Sequence, residues 1–118
     1  MEHSKDEKML MDFIEKGKLS VKSKNKEDNT PLMLAIDCSF SIKTITKLLE
    51  LGSGINEQGD DKMTPLHKAL ILENKPVFEL LLSKGADPDL KDNFGETVRE
   101  AAEDNDVFAQ LIEESDKN

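Results

Sequence analysis

The stretch Thr64-Pro65-Leu66-His67-Lys68-Ala69 decides the reading of this chain, because it recurs. Thr30-Pro31-Leu32-Met33-Leu34-Ala35 stands 34 residues earlier. A weaker copy, Thr97-Val98-Arg99-Glu100-Ala101-Ala102, follows 33 residues later behind Gly95. A second element recurs in step: an apolar triplet and then a glycine. It reads Leu10/Phe13/Ile14/Gly17, Ile45/Leu48/Leu49/Gly52 and Phe78/Leu81/Leu82/Gly85. A shortened form, Phe108/Leu111/Ile112, meets Ser115 where the glycine would stand. Self-similarity at such a period marks an array of stacked units.

Each element has a physical role. Thr before Pro starts a helix: the hydroxyl caps free backbone N–H groups, and Pro at the first helical position has no N–H to lose. Leu and Ala beyond it make a narrow face that lets another helix come close. The i, i+3, i+4 triplet lays one apolar face along a second, amphipathic helix. The glycine after it fits the left-handed position that closes a helix. Pro76 stands where the second helix of the middle unit begins, and about a dozen polar, turn-forming residues separate each glycine from the next Thr. The unit is therefore helix, short loop, helix, projecting turn. Between Thr97 and Phe108 the third copy is three residues shorter than the middle copy between Thr64 and Phe78, a shortening expected in the loop between its helices.

These residues resemble the ankyrin repeat, whose core pattern is T-P-L-H-x-A on a 33-residue period. The likeness runs from about Leu10 to Ile112 and is closest between Thr64 and Asp89. The first copy carries Met33 in place of His, and the third carries Val98 and Arg99 in place of Pro and Leu. The resemblance implies an all-α solenoid of stacked helix–loop–helix units with projecting, β-hairpin-like turns. Residues 1–118 are expected to form one domain: a half repeat or cap at 5–29, repeats at 30–63 and 64–96, and a capping repeat at 97–115. The half repeat is either a single capping helix over Ser4–Lys16 or the edge of a longer protein. Structural roles fall to Thr30, Pro31, Thr64 and Pro65 as helix starts, and to Gly52 and Gly85 as helix closures. For His67 the resemblance implies a ring hydrogen-bonded to backbone groups that tie neighbouring turns together.

Composition limits the functions open to such a stack. One Cys cannot close an internal disulfide, and zinc-ligand spacings are missing. No apolar run approaches the roughly 18 residues of a membrane span, and Met1–Lys8 is polar, unlike a signal peptide. A net charge of −9 opposes binding to nucleic-acid backbone or anionic lipid. The expectation is an intracellular monomer, cytoplasmic or nuclear, that binds neither nucleic acid nor membrane. Only 36% of residues are hydrophobic, which suits a stack needing thin apolar stripes between units. Charge is uneven along it: +1 over Met1–Lys24 but −6 over Glu96–Asn118, where eight acids face Arg99 and Lys117. The four lysines Lys18, Lys22, Lys24 and Lys26 read as a solvated first turn, with a basic contact as the alternative.

Nothing in the chain converges on chemistry. His3 lies in a polar terminus, Cys38 has no His near it in the repeat, and Gly52-Ser53-Gly54 reads as a helix end and not as a phosphate loop. No catalytic, cofactor-binding or metal-binding residue is assigned, and the chain is expected not to be an enzyme.

The family resemblance places binding at the turn tips and on the exposed, concave side of the first helices. Counting from each Thr, the tips are Lys26, Glu27 and Asn29; Asp60, Asp61 and Met63; and Asn93, Phe94 and Glu96. The exposed first-helix positions are Asp37 and Cys38, Ile71 and Leu72, and Asp104 and Asn105. Apolar residues inside a polar rim are the mark of an interface. Met63, Ile71, Leu72 and Phe94, ringed by Asp60, Asp61 and Glu96, are therefore the candidate partner-binding residues. Alternatively Ile71 and Leu72 tuck beneath the loop at Glu73–Lys75, while Met63 and Phe94 pack on neighbouring tips. The expected partner is a protein with a basic or mixed-charge face. Either the chain is a stand-alone adaptor or inhibitor, or it is a targeting or regulatory fragment of a larger multidomain enzyme.

Overall fold

The computed structural model describes residues 5–117, so His3 and Ser4 lie outside the described residues. Seven α-helices and no strand occur among them. They are α1 (Lys5–Glu15), α2 (Pro31–Asp37), α3 (Ile42–Glu50), α4 (Pro65–Ile71), α5 (Lys75–Ser83), α6 (Val98–Ala101) and α7 (Asp106–Asp116), with a 3₁₀ turn at Asp60–Lys62. α2 packs on α3 and α4, α4 on α5 and α6, α3 on α5, and α5 on α7. The result is a two-layer solenoid, with an inner row α2–α4–α6 and an outer row α3–α5–α7.

Local chemistry sets where each helix starts and stops. The hydroxyls of Thr30, Thr64 and Thr97 accept from the N–H groups of Met33, His67 and Glu100, three residues into their helices. Ser41, Asn74 and Asn105 cap the outer helices in the same manner. At the other ends Gly52 (φ +103°) and Gly85 (φ +96°) take the left-handed conformation. Their N–H groups bond the carbonyls of Leu49 and Leu82, and the residues after them bond those of Leu48 and Leu81, so the last free carbonyls of the helices are satisfied.

The core is a thin sheet of side chains between units. Leu32, Ala35, Ile36, Ile45, Leu48, Leu66, Ala69, Phe78, Leu81, Val98 and Ala102 are fully or almost fully buried. Phe78 and Phe108 meet edge to face with ring centroids 4.8 Å apart, joining the middle unit to the last.

Two expectations are corrected. The three-residue shortening falls in the inner helix: α6 has four residues where α2 and α4 have seven, while the connection 102–105 stays full length. That connection must supply Asn105 as the cap of α7, so the shortening is taken by the inner helix. The triplet in α1 is also not equivalent to the others. Phe13 is 44% exposed, although Leu48 and Leu81 at its equivalent positions are fully buried. In α3 and α5 that position rests against the inner helix of the same unit, and α1 has none. Instead α1 is anchored by Met11 and Ile14 on the core and by Glu7 at the start of α3. The buried Glu7 carboxylate accepts from the Ser41 hydroxyl (2.6 Å), the Ser41 N–H (3.3 Å) and the Thr44 hydroxyl. A carboxylate at a helix N-terminus is favoured by the free N–H groups there.

Candidate protein-binding surface

The turns repeat their geometry as faithfully as the helices. In each, a first N–H bonds the carbonyl four residues on: Asn25 to Asn29, Gly59 to Met63, Asp92 to Glu96. Within each, the N–H of Asp28, Lys62 or Gly95 folds back to the first residue's carbonyl. All three of those residues have positive φ, at 71°, 57° and 79°. The backbone is hairpin-like without forming a ladder.

The tips are tied to one another in two different ways. Between the second and third tips the tie is His67, which is buried. Its Nε2 lies 3.1 Å from the Glu96 carbonyl. A carbonyl only accepts, so Nε2 carries the proton and Nδ1 is the acceptor. Nδ1 receives the Thr64 N–H (3.2 Å) and lies 2.9 Å from the Thr64 hydroxyl. One ring thus closes its own helix cap and holds the next tip, and the Asn93 N–H adds a bond to the Asp61 carbonyl at 2.7 Å. Between the first and second tips Met33 cannot do this, and Asn29 replaces it: its Oδ1 accepts the Asp60 N–H (3.2 Å). The approach there is close enough to exclude a side chain at Gly59, whose Cβ would fall 2.4 Å from Asn29 Oδ1 and 2.5 Å from Met33 Sδ. Lys24 adds a bond to the Gln58 carbonyl and an ion pair with Glu57, so one of the four lysines of the first turn is engaged in the stack.

Charge on this side is organised around Lys68. Its side chain is 6% exposed and its ammonium donates to Asp60 (2.8 Å) and Asp37 (3.1 Å), bridging the second tip and the end of α2. Burial pulls the Lys68 pKa down, but the hydrogen bonds to Asp60 and then Asp37 outweigh it, and the net shift is upward. The bond to Lys68 holds the Asp60 carboxyl below its ordinary value. On the far edge of the last unit Arg99 forks between Asp89 (2.8 Å) and Asp116 (2.6 Å). Both carboxyls are lowered by those bonds. Arg99 is thus not a gap in the apolar pattern but a clasp that holds α7 and the preceding loop.

The candidate residues fall into two groups along α4. At its start stand the second and third tips: Met63 is half-buried, Phe94 is 81% exposed, and Asp61 and Glu96 are exposed. At its end, six residues and about 9 Å further along the axis, Ile71 is 64% and Leu72 43% exposed. Ile71 and Leu72 therefore do not tuck beneath Glu73–Lys75. Met63 and Phe94 belong to adjacent, hydrogen-bonded tips, whereas Ile71 and Leu72 lie apart from them at the opposite end of the helix. Asp60 is committed to Lys68. The sequence pattern marked Asn29 only as a tip residue and missed Lys68, because the partners of both lie in neighbouring units.

Among the described residues no group of three or more His, Cys, Asp or Glu is placed to hold a metal ion. None of their helices is long and apolar enough to cross a membrane. Cys38 is a free, exposed thiol.

Comparison with known proteins places this geometry. A family model of ankyrin repeats in three copies matches residues 3–92. BRCA1-associated RING domain protein 1 of Caenorhabditis elegans is 38% identical over 90 residues, which is 75% of this chain and 13% of that protein. Human SH3 and multiple ankyrin repeat domains protein 2 is 40% identical over 68 residues, 58% of this chain and 4% of that protein. Human 2-5A-dependent ribonuclease is 38% identical over 72 residues, 60% of this chain and 10% of that protein. The chain thus spans only a small part of the length of these relatives.

Proposed function

From its membership of the ankyrin-repeat family, to which this chain belongs, we propose that it is a non-catalytic module that binds another protein through its turn tips and the concave ends of its inner helices. Ankyrin repeats are protein-interaction modules, and the residues on these surfaces supply the particulars. The observation that carries the proposal is the exposure of Phe94 (81%), Ile71 (64%) and Leu72 (43%) beside charged and polar groups. Large apolar side chains left in water beside charged ones are the anchors that interfaces bury. The stack holds them on a rigid backbone, so little ordering is needed on binding. The role is that of an adaptor or inhibitor acting by occupancy as an intracellular monomer, on a partner with a basic or mixed-charge face.

A second reading, a targeting or regulatory segment of a larger multidomain enzyme, draws support from the ribonuclease relative, of which the matched region is 10%. Both readings place the same contact on the same residues. The test is affinity capture by the immobilised protein, with Met63→Asp combined with Phe94→Asp as the control. The double variant should keep its far-ultraviolet circular dichroism and lose the captured partner. Capture that survives both substitutions would remove the tips from the interface.

A further inference from the structure

We infer that the concave surface binds a cationic amphipathic segment in one orientation, its apolar anchor on Ile71 and Leu72 and its Lys or Arg over α6. This rests on the proposed binding function and adds the chemistry and direction of the partner. The three inner helices end in equivalent residue pairs: Asp37 and Cys38 on α2, Ile71 and Leu72 on α4, Ala101 and Ala102 on α6. Only the middle pair carries two large apolar side chains, and both are exposed. Acids lie on both sides of it, but in different states. On the α2 side Asp37 is satisfied by the buried Lys68 ammonium, which also takes Asp60. On the α6 side Glu103 and Asp104 are exposed, and among the described residues neither pairs with a cation. Arg99, the one basic residue of α6, is turned away to Asp89 and Asp116.

The surface therefore offers an apolar anchor point with a partly compensated flank on one side and an uncompensated negative flank on the other. A cation from outside gains more on the α6 side, because Lys68 already pairs with the carboxylates of the α2 side. A uniformly cationic peptide without an apolar anchor would leave Ile71 and Leu72 in water, and an acidic one would be repelled by Glu103 and Asp104. Packed helices stand about 8–10 Å apart. The anchor and the cation must be separated by that span, which is two turns of a helix or about three residues of extended chain.

A random linear peptide display library, selected on the immobilised wild-type protein, tests this. Recovered peptides should be net positive and carry an apolar residue and Lys or Arg at that spacing. Their affinity should fall roughly tenfold in Glu103→Gln combined with Asp104→Asn, and should weaken steeply between about 0.05 and 0.5 M salt. Both positions are exposed, and circular dichroism checks that the helices persist; Glu103→Gln alone should give an intermediate loss. The orientation is contradicted if Asp37→Asn weakens the peptides as much as the α6 double variant does. Recovered peptides that are neutral or acidic, or that bind the α6 variant unchanged, would overturn the inference and leave the binding function standing. A wild-type surface that enriches no peptide would overturn both.

Discussion

The middle and last units begin their inner helices with the same cap and then part company. Thr64 with His67 and Thr97 with Glu100 each form a reciprocal box in which the hydroxyl takes an N–H three residues on and that residue's side chain returns to the Thr N–H. His67 has a second nitrogen, and it reaches the Glu96 carbonyl of the next tip. Glu100 offers a carboxylate that can only accept, and its Oε1 closes on Thr97 alone. The third helical position thus distinguishes a cap that also holds the next tip from one that closes on its own helix alone. The same contrast runs through the rest of the two units. The middle unit buries Leu66 and exposes Ile71 at the end of its inner helix, while the last has Arg99 and Ala101 at the corresponding places. The last unit is held at its edge by exposed ion pairs, the middle unit by buried side chains.

Substitutions can break this contrast, and the largest effect is expected at the joint between the two units. Phe78→Ala removes a fully buried ring from its edge-to-face partner Phe108 and should cost about 3–5 kcal/mol in urea unfolding. The loss should appear first in α6 and α7 by hydrogen exchange. His67→Ala loses the cap and the tie to Glu96 together and should cost about 2–3 kcal/mol. Glu100→Ala loses a cap alone, at about 1 kcal/mol. Equal costs for these two would remove the distinction between a cap that ties the next tip and one that does not.

Smaller effects sharpen the picture. Lys62 and Asp28 hold the left-handed tip position that Gly95 fills in the last turn. A residue with a Cβ pays about 1–2 kcal/mol there, and Asp less than Lys. Lys62→Gly should therefore raise the melting temperature by a few degrees, and Asp28→Gly by less. The pH dependence is smaller still, because the carboxylates concerned are largely exposed. Asp60, Asp89 and Asp116 are lowered in the fold. Their contribution is complete above the ordinary carboxylate value of about 3.9 and is lost as pH falls through the lower folded values. Lys68 is raised, so its contribution is complete below about 10.4 and lost as pH climbs through the higher folded value. These four groups contribute no slope to the melting temperature between those limits. Arg99→Gln should flatten the acid limb, and His67→Ala should leave that limb unchanged.

Much of the fold was legible because its determinants are local. A Thr cap acts three residues away, a closing glycine four or five, and a period of 33–34 residues shows in one dimension. What escaped the pattern is what joins units. Lys68 meets Asp37 across 31 residues, Asn29 meets Asp60 across 31, and Glu7 meets Thr44 across 37. Each depends on which free positions of neighbouring units happen to face. Phe13 was misread for a related reason: its spacing is that of a buried triplet, but burial requires an inner helix that α1 lacks. Of the binding surface, the sequence marked which residues break the polar pattern. It did not mark that they divide between the two ends of α4, nor that Lys68 pairs with the acids on one side only.

The central claim is that the middle unit binds through the pair the neighbouring units lack. Ile71→Asp combined with Leu72→Asn makes the exposed end of α4 polar, and isothermal titration with a peptide selected on the wild type reads the consequence. The account predicts that binding is lost while the melting temperature stays within a few degrees of wild type, since both side chains are exposed. Undiminished affinity in a folded double variant would contradict it.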